Sequence, residues 1–94
     1  MIIRIVKLSI SKKNTNDFIN LFNDNKLKIL SFKGCSKVEL LKNDGDDEIF
    51  FTYSHWDNHQ SLENYRNSNT FKMIWKTTKT YFCDRPMAWS LSKV

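Results

Sequence analysis

An α+β domain with the element order β, α, β, β, α, β is predicted by three observations. Four stretches alternate or run apolar in the manner of strands, and two regions carry apolar residues at helical spacing. A polar run joins the second strand to the third, which makes those two antiparallel neighbours. At 94 residues the chain fits one domain spanning 1–94.

The first strand is Ile2 to Ile10. Ile3 and Ile5 fall on one phase, Ile2, Val6, Leu8 and Ile10 on the other, so both faces should be covered. Ser11 to Asn16 is polar, and Asn14, Thr15 or Asn16 can cap a helix that buries Phe18, Leu21, Phe22 and Ile29 and ends by Gly34. Val38, Leu40 and Leu41 begin the second strand. Asn43 to Asp47 turns the chain into the third, Glu48 to Trp56. There Ile49, Phe51, Tyr53 and His55 share one phase, and Phe50, Thr52, Ser54 and Trp56 the other.

Asp57 or Asn58 can cap a short helix carrying Leu62 and Tyr65, and Ser68 a second running through Phe82. Phe71, Ile74, Trp75, Thr78 and Phe82 form the expected buried stripe of that second helix. Pro86 ends helical structure, and Met87 to Val94 alternates as the last strand, with Met87, Trp89 and Leu91 against Ala88, Ser90 and Ser92.

This order is that of a ferredoxin-like domain, a four-stranded antiparallel sheet with its helices on one face. The other face should then be wet, yet strands one and three are apolar on both phases. A second copy covering that face, sheet against sheet, accounts for the pattern, and a domain this small gains core by pairing. A homodimer through the sheet faces is expected.

Composition narrows the classes further. A chain with 40% hydrophobic and 27% charged residues is globular rather than disordered. The net charge of +5 invites nucleic acid, but the basic residues are scattered and interleaved with Asp17, Asp24, Glu39 and Asp44, the pattern of a solvated surface. Lys72, Lys76 and Lys79 share one helical flank, where solvation is again the simpler reading. RNA-recognition domains use the same element order, but Ile49 to Tyr53 lacks their glycine-spaced signature and strand one has no aromatic residue for a second stacking platform. No nucleic-acid partner is expected.

Arg4 and Lys7 break the first apolar run, so it is neither a signal peptide nor a membrane span, and a cytoplasmic protein without a membrane partner is expected. Cys35 and Cys83 stand 48 positions apart with no paired-cysteine motif and read as buried thiols.

Phe50 to Trp89 holds ten of the thirteen aromatic residues. Tyr and Trp join a polar tip to an apolar body, so such crowding suits a half-wet pocket or an interface. Within this stretch the run from Phe50 to Phe71, FFTYSHWDNHQSLENYRNSNTF, ends a strand in Trp56, places Tyr65 on a short helix and sets Ser68 before Phe71. With Gly34-Cys35 before strand two and Ala88-Trp89-Ser90 in strand four, the chain resembles the antibiotic biosynthesis monooxygenase-like domains along essentially its whole length.

The resemblance implies a dimeric α/β barrel made by two paired sheets. It also implies oxidation of a quinol, anthrone or similar electron-rich aromatic by O2 with no cofactor, neither metal nor flavin. In such enzymes the deprotonated substrate itself reduces O2, while the protein binds a flat molecule, helps remove a proton and holds the oxygen-side intermediate by hydrogen bonds. The haem-degrading branch of the same scaffold has a Trp where this chain has Tyr65, an Asn in strand one, and its iron-ligating His where this chain has Trp75. An indole nitrogen is only a donor and cannot ligate iron, so haem degradation is disfavoured. The alternative is a non-catalytic small-ligand-binding or interaction protein on the same scaffold.

Five residues carry the site expectation. His55 is of the type that moves protons near neutral pH, although a surface or hydrogen-bonded histidine is the default. Its spacing to His59 is not that of a helical metal pair, because the two lie on different elements, and no metal site is expected. Tyr65 offers a phenol that donates at neutral pH, or simply fills core. Trp56 could stack on a ligand or pack on the partner subunit, and packing is the simpler reading. Trp75 lies on a core stripe whose wall would border a cavity. Arg4 interrupts an apolar strand, and it should find a carboxylate or line a polar cavity.

Overall fold

The computed structural model describes residues 1–94, in the order β1 (Ile2–Ser9), α1 (Thr15–Leu30), β2 (Cys35–Lys42), β3 (Ile49–Trp56), α2 (His59–Arg66), α3 (Asn69–Lys79) and β4 (Met87–Leu91). The four strands form one antiparallel sheet in the order β2-β3-β1-β4, with all helices on one side, the ferredoxin-like arrangement.

Register follows from the alternation of the strands. Arg4 lies opposite Ser54 on one neighbour and Ser90 on the other, and Ile5 lies between Tyr53 and Trp89. The even phase of β1 and β3 meets the helices: Ile2, Val38 and Trp56 pack with Phe22, Ile29 and Leu62, while Leu8, Ile10 and Phe50 pack with Phe18. These two clusters hold every fully buried hydrophobic side chain.

The other phase forms an open face. Ile3, Ile5, Phe51 and Tyr53 are half-buried there, while Leu41, Met87, Trp89 and Leu91 are exposed. Trp89 is 40% and Leu91 43% exposed, so the face is apolar without being covered by the chain itself.

Local chemistry sets the helix boundaries. Asn58 is extended and its side chain accepts from the Ser61 N–H at 2.9 Å, capping α2. The Ser68 hydroxyl accepts from the Phe71 N–H at 3.1 Å and donates to the Tyr65 carbonyl at 2.6 Å, so one residue ends α2 and begins α3. Asn14 stands at the cap position of α1 but makes no side-chain cap bond. A 3-10 turn over Lys12–Asn14 precedes it and leaves its backbone outside the extended region that a capping side chain needs.

Three expectations change. α3 stops at Lys79 rather than Phe82, because residues 81–83 pair instead with the end of β1: the Ser11 N–H bonds Tyr81 and the Cys83 N–H bonds Ser9. The β-branched Thr77, Thr78 and Thr80 add little helical preference to resist this. β4 stops at Leu91, where its pairing with β1 ends at Ile3. Neither cysteine is fully buried: Cys35 is half-buried, and Cys83, in the turn after α3, is exposed.

Gly34 holds the β2 end of the sheet against α2. Its φ of +88° is left-handed, its carbonyl accepts from the Asp57 N–H at 2.8 Å, and a Cβ there would collide with the Ser61 hydroxyl.

Candidate functional site

A cavity of about 300 Å³ lies between the helix-facing side of the sheet and all three helices, separating the two core clusters. Its existence explains why the apolar stripe of α3 is only partly buried. Thr78 is buried, its hydroxyl donating to the Ile74 carbonyl at 2.7 Å, but Phe71, Ile74 and Trp75 are only half-buried because each borders the cavity on one side.

One wall is a continuous ladder of rings. Trp56 stacks on Tyr65 with centroids 5.1 Å apart. Tyr65 meets Phe32 and Phe71 edge-on, Phe71 stacks on Trp75 at 5.8 Å, and Trp75 meets Phe82 edge-on. Of these rings Trp56, Tyr65, Phe71 and Trp75 line the cavity, a wall that suits a flat ligand. Trp56 is its fixed end, 1% exposed with its indole N–H donating to the Ser54 hydroxyl at 2.9 Å.

Tyr65 is held between three rings, and burial pushes its phenol pKa up, with the Cys35 thiol a lesser contributor. The hydroxyl therefore stays a donor across the physiological range. An acid whose folded pKa is raised keeps its full contribution to stability below the unfolded value, here near 10, and loses it as the unfolded chain ionises above that pH. Wild type should lose stability between pH 10 and 12 more steeply than Tyr65→Phe, the difference approaching about 1.4 kcal/mol per pH unit. Urea midpoints at pH 8 and pH 11 read this directly; equal losses in the two proteins would remove the assignment.

The charged lining groups are two guanidinium groups. Arg4 is half-buried on the helix side of β1, and its Nη1 donates to the Ser90 hydroxyl at 2.9 Å. Arg66, at the end of α2, pairs with Glu63 at 2.8 Å. Partial burial and the nearby Arg66 both lower the pKa of Arg4, and Glu63 offsets this in part. The cavity walls contain no carboxylate, imidazole, thiol or ammonium.

Of the residues expected at the site, Tyr65, Trp56, Trp75 and Arg4 come together around this cavity. His55 does not. It sits on the open face of the sheet, because Trp56 points to the helices and adjacent strand residues point to opposite faces. There its Nε2 and the Tyr53 hydroxyl share a hydrogen bond at 2.7 Å, beside the Lys37–Glu39 ion pair. The expectation that His55 lies at the same site as Tyr65 is therefore corrected by the geometry: the two stand on opposite faces of the sheet. Trp56 packs within its own chain rather than on a partner. His59 is exposed in the first turn of α2, and no three His, Cys, Asp or Glu side chains gather into a cluster of metal-binding size.

Two contributors escape sequence reading. Asn25 lines the cavity from α1, its side-chain N–H donating to the Leu21 carbonyl at 2.8 Å, and its helical spacing with Phe18, Phe22 and Ile29 makes a polar residue on an apolar stripe its available signal. Ser90 steadies Arg4, and only the β1–β4 register reveals that.

Comparison with known proteins agrees with this architecture. The sequence model of the family described as antibiotic biosynthesis monooxygenase matches residues 1–76. No curated protein matches the chain. Among solved structures, a conserved protein from Methanosarcina mazei superposes with a TM-score of 0.93 at 21% identity, covering 100% of this chain and 94% of that one. An antibiotic biosynthesis monooxygenase superposes with a TM-score of 0.92 at 14% identity, covering 100% and 99% of the two chains. A protein from Pseudomonas aeruginosa gives 0.86 at 13% identity, covering 99% and 93%. At these identities the superpositions establish the fold.

Proposed function

The chain belongs to the antibiotic biosynthesis monooxygenase family, and from that membership and the cavity we propose that it is a cofactor-independent monooxygenase acting on a quinol, an anthrone or a similar electron-rich aromatic. The observation that carries this reading is the ring-walled cavity of about 300 Å³ whose charged lining groups are both cationic. Aromatic walls match a flat substrate, and a guanidinium favours the deprotonated form of a phenol or enol.

For an anthrone the reaction converts the ring CH2 to a carbonyl. The deprotonated substrate passes electrons to O2, a carbon–oxygen bond forms, the O–O bond breaks, and the second oxygen leaves as water with the two hydrogens from carbon. Tyr65 is proposed as a hydrogen-bond donor, Arg4 as the cation that binds the substrate, and Trp56 and Trp75 as walls. Because the cavity walls hold no side-chain base, deprotonation falls to solvent aided by the cationic field. Trp75 on the cavity wall also argues against haem, since its indole stands where the haem-degrading branch places its ligand.

O2 uptake with a panel of quinols and anthrones, in the presence of a chelator, tests the reading. Ile74→Trp would fill the cavity and should lower kcat/KM by at least about tenfold with the far-ultraviolet circular dichroism unchanged. Turnover that ignores this substitution would place the chemistry elsewhere. The missing base also supports a second reading, a ligand-binding protein without turnover, for which the same compounds would bind and consume no O2.

The open face of the sheet is proposed to pair with the same face of a second copy. Its exposed Trp89, Leu91, Met87 and Leu41 support this, as does the small core that one copy holds.

A further inference from the structure

We propose that the cavity selects a flat apolar ligand bearing one permanent carboxylate, anchored by Arg4; this rests on the cavity being the ligand site. The chain's ion pairs are Lys37–Glu39, Lys42–Asp47 and Arg66–Glu63, and Arg4 belongs to none of them. Its side-chain hydrogen bond goes to a neutral hydroxyl, Ser90 Oγ. Glu63, the nearby carboxylate, is already paired with Arg66; a half-buried cation with no ion pair of its own costs folding free energy, and a methionine of similar length would fill the same space on this strand without that cost. Arg4 is thus poorly explained by folding.

Its surroundings match an anion. Arg66 shares the rim of the cavity and is neutralised by Glu63, so the three charges sum to one uncompensated positive charge. Ser90 occupies one donor of the guanidinium and steadies the plane, leaving other donors of the fork for a bidentate carboxylate. Beyond the rim the walls are rings and aliphatic side chains, with only short polar groups such as Asn25 and Thr52, suited to the rest of a two- or three-ring molecule. Recognition of this kind separates an aromatic acid from its neutral relatives, because the latter leave the guanidinium unpaired.

The test uses 15N-labelled protein titrated with 2-naphthoate and with 2-naphthamide, which differ in the charge of one group. In wild type, naphthoate should bind at least about tenfold more tightly, with shifts at the amides of Tyr65 and Trp75. Arg4→Met should abolish the preference for naphthoate over naphthamide, and its thermal midpoint should equal or exceed that of wild type. Ser90→Ala, which frees the guanidinium without removing it, should weaken naphthoate by a few fold. Equal binding of the two compounds by wild type at the same amides overturns the carboxylate anchor while the cavity stands. Absence of shifts around the cavity with either compound overturns the cavity reading itself. A lowered midpoint in Arg4→Met with naphthoate binding intact makes the arginine structural and also overturns the proposal.

Discussion

Trp56→Ala is expected to remove a large share of the protein's stability. The side chain is 1% exposed and is the largest fully buried one in the chain. Removing a buried tryptophan costs about 3–5 kcal/mol, partly from lost transfer free energy and partly from the cavity left behind. Here the void would merge with one that already separates the two core clusters, so collapse offers little relief. Ser54, a residue only 8% exposed, would also lose the indole donor to its hydroxyl, adding about 1 kcal/mol. A small domain has only about 5–15 kcal/mol in total. Urea unfolding followed by circular dichroism would show the midpoint fall by half or more, and Trp56→Phe should recover part of it. An unchanged midpoint for the alanine variant would mean that the stack of Trp56 on Tyr65 is not the keystone of the larger cluster.

The second large effect concerns association. If the proposed pairing of sheet faces holds, Trp89→Lys with Leu91→Lys should raise its dissociation constant at least about a hundredfold while leaving each copy folded. Both residues are exposed on the apolar face of an edge strand and lie outside the two core clusters. In an isologous pairing each substitution acts twice, and every added ammonium must be desolvated or excluded. The polar groups on the same face can tolerate burial because they already satisfy one another: Lys37 pairs with Glu39 at 3.2 Å and His55 with Tyr53 at 2.7 Å. Sedimentation over a wide concentration range reads the constant. A wild-type chain that remains monomeric at high concentration would end the pairing proposal.

Much of this architecture was readable from residue order alone. Alternation along β1 and β3 sorted side chains onto two faces, Asn58 and Ser68 marked two helix starts, and the Asn43–Asp47 run marked the hairpin. Those signals are local: a dyad period, a side chain that reaches a nearby N–H, a turn with no apolar residue. The ends of α3 and β4 were not readable, because both are set by where distant backbone groups find partners in β1.

At the site the same division appears within single residues. His55 and Trp56 are adjacent and equally suited to a pocket by type, and the strand's own period sends only one of them there. That much was decidable from sequence once the helices were known to occupy one face. The loneliness of Arg4 was not. An arginine in an apolar strand demands either a counter-charge or a polar cavity, and sequence leaves the choice between them open. Register places a serine on either side of it, and packing places Arg66 near it with a carboxylate already taken. The order of apolar and polar residues thus determined the fold, the two faces of the sheet and the identity of the aromatic wall. Tertiary structure alone decided that the rings border a cavity and that one cation at its rim has no ion pair of its own, because cavity volume and charge balance are sums over side chains that meet only after folding.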